Sequence, residues 1–222
     1  MPGVGILAVV LFANALPARE STGALLPLLL CGDVFGVSFY RRHASWPHLS
    51  KLLPWVALGV IGGFFAVKAV SNAQMQRLLG GVVLGMVALH LCRRRPAGTD
   101  SPMPHRPWFG AGMGILAGFT TMVANAAGPV MILYFLAIGL PKLVFVGTGA
   151  WFFMLVNALK VPFSVRLGLI TNQSLLLDAM LLVPMIPGAL LGPWLLRHID
   201  QKHFEQLMIL LTAAAALKLM VW

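Results

Sequence analysis

The chain has 222 residues, of which 59% are hydrophobic and 10% charged, and its mean hydropathy is +0.88. An ordinary soluble domain carries about 45–50% apolar and about 25% charged residues, so too little polar surface exists to cover a globule in water, and the main solvent is lipid. Lys and Arg number 16 against 6 Asp and Glu, but they cluster where apolar runs stop, at Arg41-Arg42 and Arg93-Arg94-Arg95. That is the pattern of membrane loops and not of a nucleic-acid surface.

At about 20 residues per crossing, the length accommodates about eight helices in one bundle. The first apolar run, 3–16, is about 21 Å long as a helix, short of a hydrocarbon core of about 30 Å. It has neither the basic lead nor the cleavage site of a signal peptide. Spanning helices are predicted at 21–40 and 52–70, with a shorter one at 78–92. Cys31 and Cys92 lie inside such runs and read as small packing residues, with no disulfide framework or metal site. The polar stretch 93–107 is a linker. The run 108–138 is too long for one straight crossing and is broken at Asn125-Ala126-Ala127-Gly128-Pro129, where Gly and Pro interrupt the hydrogen-bond ladder. Further helices are predicted at 143–161, 173–196 and 204–222.

The two halves resemble each other. A shift of 124 residues pairs Leu16-Pro17 with Leu140-Pro141, Gly23 with Gly147, Asp33 with Asn157 and Phe39 with Phe163. A shift of 129 pairs Gly59 with Gly188, Gly63 with Gly192 and Lys68 with Arg197. The expected fold is therefore an all-α polytopic membrane protein, a single transmembrane domain over 1–222 with about seven or eight helices. Repeat 1 covers 1–92, the linker 93–107 and repeat 2 108–222, with broken helices near Gly3-Gly5 and Asn125-Pro129. Gly5 pairs with Pro129, so the chain is expected to begin at the break of its first repeat, without the half-helix that matches 108–124. Internal repeats are typical of secondary transporters, whose substrate site lies at the repeat interface. Glycines four residues apart, as in Gly59/Gly63, Gly114/Gly118 and Gly188/Gly192, mark faces where helix backbones approach closely.

Polar groups inside the apolar runs are expensive and need a reason to be there. Asn157 and Lys160 are three residues apart and can face one cavity; Lys160 can instead snorkel to the interface. Asp33 is either a partnered structural carboxylate or a proton-coupling group, since a carboxylate at lipid depth is disposed to exchange a proton. Asp178 reads as structural and His90 as interfacial. The break at Asn125–Pro129 offers unpaired N–H groups and the positive end of a helix dipole, which suits an anion, or is a packed proline kink. The candidate substrate-binding residues are Asn125, Gly128, Thr148, Asn157 and Lys160, with Asp33 for proton coupling. Their chemistry favours a small oxyanion, such as a sulfonate or sulfite, over a cation or a neutral sugar.

The stretch Asn125-Ala126-Ala127-Gly128-Pro129, then Tyr134, Gly147-Thr148-Gly149-Ala150-Trp151-Phe152-Phe153 and Asn157-Ala158-Leu159-Lys160, resembles the second-half signature of the TauE/SafE family of sulfite and organosulfonate exporters. Pro17-Ala18-Arg19-Glu20, Gly23, Asp33 and Tyr40-Arg41-Arg42 are similar to the first half. The resemblance covers nearly the whole chain. It implies a duplicated bundle that moves small sulfur-containing anions, with no bound cofactor; the expected location is the cell (inner) membrane, and the two repeats around a central site lead to an expectation of alternating access. The partners expected are the small anion and the lipid bilayer, with no nucleic acid, and the sequence is compatible with a homo-oligomer.

With each break counted as one crossing, the loops around Arg41, Arg94 and Arg166 fall on the more basic side, predicted to be cytoplasmic. A re-entrant break at Asn125 reverses every later loop, and parity also decides whether the repeats are parallel or inverted. A membrane-embedded enzyme is not expected, because the runs contain neither a Ser and His pair at suitable depth nor an HExxH spacing. A non-transporting membrane scaffold is the alternative if Asn157 and Lys160 meet headgroups.

Overall fold

The computed structural model describes residues 18–69, 71, 107–200 and part of 202–214, and every regular element among them is helical. The helices are α1 (Ala18–Tyr40), α2 (Trp46–Ala69), α3 (Pro107–Ala124), α4 (Ala127–Ala137), α5 (Lys142–Arg166) and α6 (Asn172–His198), with a 3-10 turn at Arg41–His43 after α1. The segment 3–16 with its break near Gly3-Gly5, the helix 78–92, His90, the linker residues 93–106 and most of 204–222 lie outside the described residues. Among the described residues α2 and α5 are long and apolar enough to cross a membrane, and α6 makes a third if its two arms, meeting at 49°, count as one span. Residue 184, at that junction, is a proline, which cannot donate to the helical ladder.

Two helix ends differ from the sequence expectation. α2 begins at Trp46 and not at 52, because Pro47 fits a first helical turn and the N–H groups of His48 and Leu49 both donate to Ser45 O at 3.2 Å. α5 runs on through Pro162 to Arg166 and is closed by Gly168, whose φ of +67° lets Leu169 N–H donate to Ser164 O at 3.0 Å. This is the left-handed helix stop that glycine adopts without a Cβ clash.

The chain divides into two compact units, Met1–Leu49 with Lys142–Gln201, and Ser50–Pro141 with Lys202–Trp222. In the first, α1 packs on α5 and α6. The start of α1 meets the end of α5, where a Cβ on Gly23 would collide with Leu169. The end of α1 meets the start of α5, where a Cβ on Gly147 would come within 2.8 Å of Tyr40 O and of the His43 carbonyl carbon. α1 and α5 are therefore antiparallel. α6 runs parallel to α1, with Leu25 packed among Leu177 and Leu181 and Gly32 beside Met185. Lys142 Nζ donates to Leu196 O at 3.0 Å and to Ile199 O, placing a cation on the negative end of α6.

In the second unit α2 and α3 are parallel, and glycines let their backbones touch. A Cβ on Gly59 would overlap Ile115 O, one on Gly118 would overlap Val56 O, and one on Gly63 would lie 2.8 Å from Met122 Cβ. The break after α3 corrects two expectations. It falls at Asn125-Ala126, with Asn125 at φ +51°, while Gly128 and Pro129 already belong to the first turn of α4. Asn tolerates the left-handed region, and proline is accepted in a first turn, where its missing N–H is no loss. The chain also turns back on itself there, because the Tyr134 and Phe109 ring centroids are 5.9 Å apart. A single continued crossing would hold those residues far apart along the axis, so α3 and α4 form a helical hairpin.

The loop assignment that treated this break as one crossing is therefore corrected. In the first unit, Lys142 and Arg197 share one end with Tyr40 and His43, around a cavity of about 380 Å³. That end, next to Arg41 and Arg42, collects the basic residues, and the Arg166 end of α5 is opposite to it.

Candidate functional site

α1 and α5 cross at Asp33 and Asn157. Asn157 Nδ2 donates to Asp33 Oδ2 at 2.8 Å, and Asn157 is only 3% exposed. Asp33 lies seven residues before the end of α1, about 10 Å, and Asn157 nine residues before the end of α5, about 14 Å. Because the helices are antiparallel, those two ends point in opposite directions. The pair therefore lies well inside the helical layer, about 10 Å from one end and about 14 Å from the other.

Lys160 follows Asn157 by one turn and is 1% exposed, among the most completely buried large side chains of the chain. Its ammonium acts electrostatically on Asp33. Of the two placements open from the sequence, enclosure within the protein is the one observed. A buried cation in this setting needs compensating negative charge and hydrogen bonds, and Asp33 supplies part of that charge. The half-buried carboxylate thus accepts from a buried amide donor and feels the charge of a buried ammonium on the same helix.

Thr148 does not join this group. It lies nine residues before Asn157, about 14 Å along the helix, and its Oγ1 accepts the Ser45 N–H at 2.9 Å. That bond ties the turn between α1 and α2 to the start of α5. Ser45 Oγ also pairs with His48 Nδ1 at 2.7 Å, and the Trp46 and Trp151 ring centroids lie 5.0 Å apart, tilted at 53°, beside this turn. Trp151 Nε1, a buried donor with no hydrogen-bond partner among the described residues, was not singled out by the sequence reading; an indole inside an apolar run looks like any other packing aromatic.

Asn125 and Gly128 belong to the second unit. There the N-terminus of α4 is buried from Ala127 to Val130, and Ala126 provides no side-chain cap. Thr120 and Thr121 are buried on the last turns of α3, and Thr120 Oγ1 donates to Ala117 O at 3.1 Å. The backbone N–H groups at this helix start have the polarity expected of an anion-attracting element.

Asp178, expected to be structural, is 4% exposed, and neither of its oxygens has a hydrogen-bond partner among the described residues. A buried polar group left unsatisfied costs about 1–3 kcal/mol. Asp178→Leu is therefore expected to raise the thermal unfolding midpoint in detergent by the equivalent of about 1–3 kcal/mol. A lowered midpoint would show instead that the buried carboxylate contributes to the fold. Among the described residues no group of three or more His, Cys, Asp or Glu side chains is placed to hold a metal ion.

Comparison with known proteins adds one match. The family model described as sulfite exporter TauE/SafE matches residues 2–219 of the 222. Neither a curated protein nor a solved structure matches the chain.

Proposed function

Because the chain belongs to the sulfite exporter TauE/SafE family, a family of membrane transporters and not of enzymes, we propose that it moves small sulfur-containing anions, sulfite or organosulfonates, across the cell membrane by alternating access. The observation that carries this reading is the buried Lys160 ammonium and Asn157 amide beside Asp33 at the crossing of two antiparallel helices. A cation and an amide donor enclosed inside the helical layer are what a desolvated oxyanion requires. Asp33 is the proton-coupling residue. Asn125 and Gly128, at the uncapped start of α4, are a second anion-attracting element, and Thr148 serves to position the start of α5.

On this reading the bundle has seven or eight helices, counting those outside the described residues, and its halves are repeats. The segments matched by the 124-residue shift are α1 and α5, and their antiparallel course supports an inverted repeat, related by an axis in the membrane plane. The helical hairpin at Asn125 supplies the change of parity that inversion needs. The end bearing Arg41, Arg42, Lys142 and Arg197 is cytoplasmic by its positive charge. A scaffold role is disfavoured by the enclosure of Lys160, because a lysine without function would gain by reaching the headgroups.

Purified protein in liposomes tests the reading. Wild type is expected to carry sulfite or methanesulfonate, and Asn157→Ala to lower the flux by about tenfold or more, the equivalent of one lost hydrogen bond to a charged group. Flux at the wild-type level in both Asn157→Ala and Lys160→Ala would refute the site.

A further inference from the structure

On the reading that Asn157 and Lys160 hold the transported anion, we infer that the Asp33 carboxylate occupies the anion's place in the empty protein, so that each anion binds together with one proton. In the structure the Asn157 amide is already engaged, donating to Asp33 Oδ2 at 2.8 Å, and the same carboxylate is the negative charge that Lys160 senses. A carboxylate and a sulfonate or sulfite oxygen compete for one kind of partner, an N–H donor or an ammonium. An arriving anion therefore meets an Asn157 donor that is taken, and a second negative charge close to the first is strongly disfavoured in a medium of low dielectric.

Protonation of Asp33 removes the conflict. The proton adds to a carboxylate oxygen, the Asp33 charge is lost, and the Asn157 N–H and the Lys160 ammonium turn to the incoming anion. The Asp33 hydroxyl then becomes a donor that can face an anion oxygen as well. No other described charged group competes for the role. α5 contributes Lys160 at this level. α6 presents Met185 beside Gly32, and its nearest titratable groups are Asp178, seven residues earlier, and Arg197, twelve residues later, about 10 Å and 18 Å along the helix. α1 itself offers only Cys31 nearby. The net effect of loading is one monoanion and one proton, an electroneutral addition to the same three side chains.

Linkage makes the inference measurable, because binding of anion and proton must promote each other equally. The probe is methanesulfonate, a strong-acid anion whose charge does not change between about pH 5 and 8, so that any pH dependence belongs to the protein. Its affinity for purified wild type is expected to rise about tenfold per unit fall in pH wherever Asp33 is ionised in the empty protein. Close to one proton should be taken up per anion bound, read with an indicator dye in weak buffer. Asp33→Asn keeps a hydrogen-bonding partner for Asn157 and should bind with an affinity independent of pH and without proton uptake; Asp33→Glu should restore the dependence. Wild-type binding without pH dependence or proton uptake overturns the inference and leaves the anion site standing. An unchanged pH slope in a folded Asp33→Asn overturns the assignment to Asp33. Absence of methanesulfonate binding at every pH overturns the anion-site reading itself, and the inference with it.

Discussion

Lys160→Met is expected to reduce anion flux in liposomes by at least about 100-fold while the protein still folds. Methionine matches the length of the lysine stem, so the packing around the 1%-exposed side chain is nearly kept. The charge is lost, and with it the only cation among the described residues that acts on Asp33 from α5. Breaking one partner out of a buried charged group costs about 3–5 kcal/mol, which as a binding penalty is about 10²–10⁴-fold. Initial rates of methanesulfonate uptake, compared with elution profile and unfolding midpoint in detergent, separate this from misfolding. A folded Lys160→Met with wild-type flux would remove Lys160 from the substrate site.

Gly118→Leu should have the second large effect, on assembly and not on chemistry. A Cβ at this position would overlap Val56 O, and Gly59 makes the reciprocal approach to Ile115 O. Lipid provides no hydrophobic drive between helices, so close backbone contact through small residues is a principal source of α2–α3 association. A carbonyl in a helix cannot rotate aside as a side-chain tip can. Overpacking of this kind costs about 1–3 kcal/mol and more where backbone must move, so the variant should lose most of its folded yield. Gly112→Ala is the control: nothing lies within 4 Å of a Cβ there, and the substitution should be neutral or slightly stabilising. Equal yields for Gly118→Leu and wild type would mean that α2 and α3 do not depend on this contact.

The all-helical character and the two spanning helices α2 and α5 were readable from run lengths, because a spanning helix announces itself by about 20 apolar residues whatever its neighbours do. The glycine spacings at Gly59/Gly63 and Gly114/Gly118 likewise pointed to close helix faces, and the structure shows which backbones they admit. The 124-residue shift set Asp33 and Asn157 at one register position. Their direct 2.8 Å bond was not legible, because sequence comparison aligns residues without saying that they meet. The direction of the chain after Asn125 was illegible for a physical reason. A left-handed residue ends a helix, but whether the next one continues or doubles back depends on partners such as Phe109 and Tyr134 that lie 25 residues apart. The use of Thr148 to hold Ser45 N–H was hidden in the same way, in a contact across 103 residues.

The bond between Asp33 and Asn157 has a consequence for how such a chain could arise. In two copies joined by a two-fold axis, a residue on that axis faces its own duplicate. A half that carried aspartate there would set carboxylate against carboxylate at hydrogen-bond distance, a repulsion relieved only by sharing a proton. Asparagine in one copy turns the clash into a donor and an acceptor, and the symmetric pair becomes a polar one with a direction. On the repeat reading, a single divergence at the axis both stabilises the fused chain and makes its two faces chemically unequal.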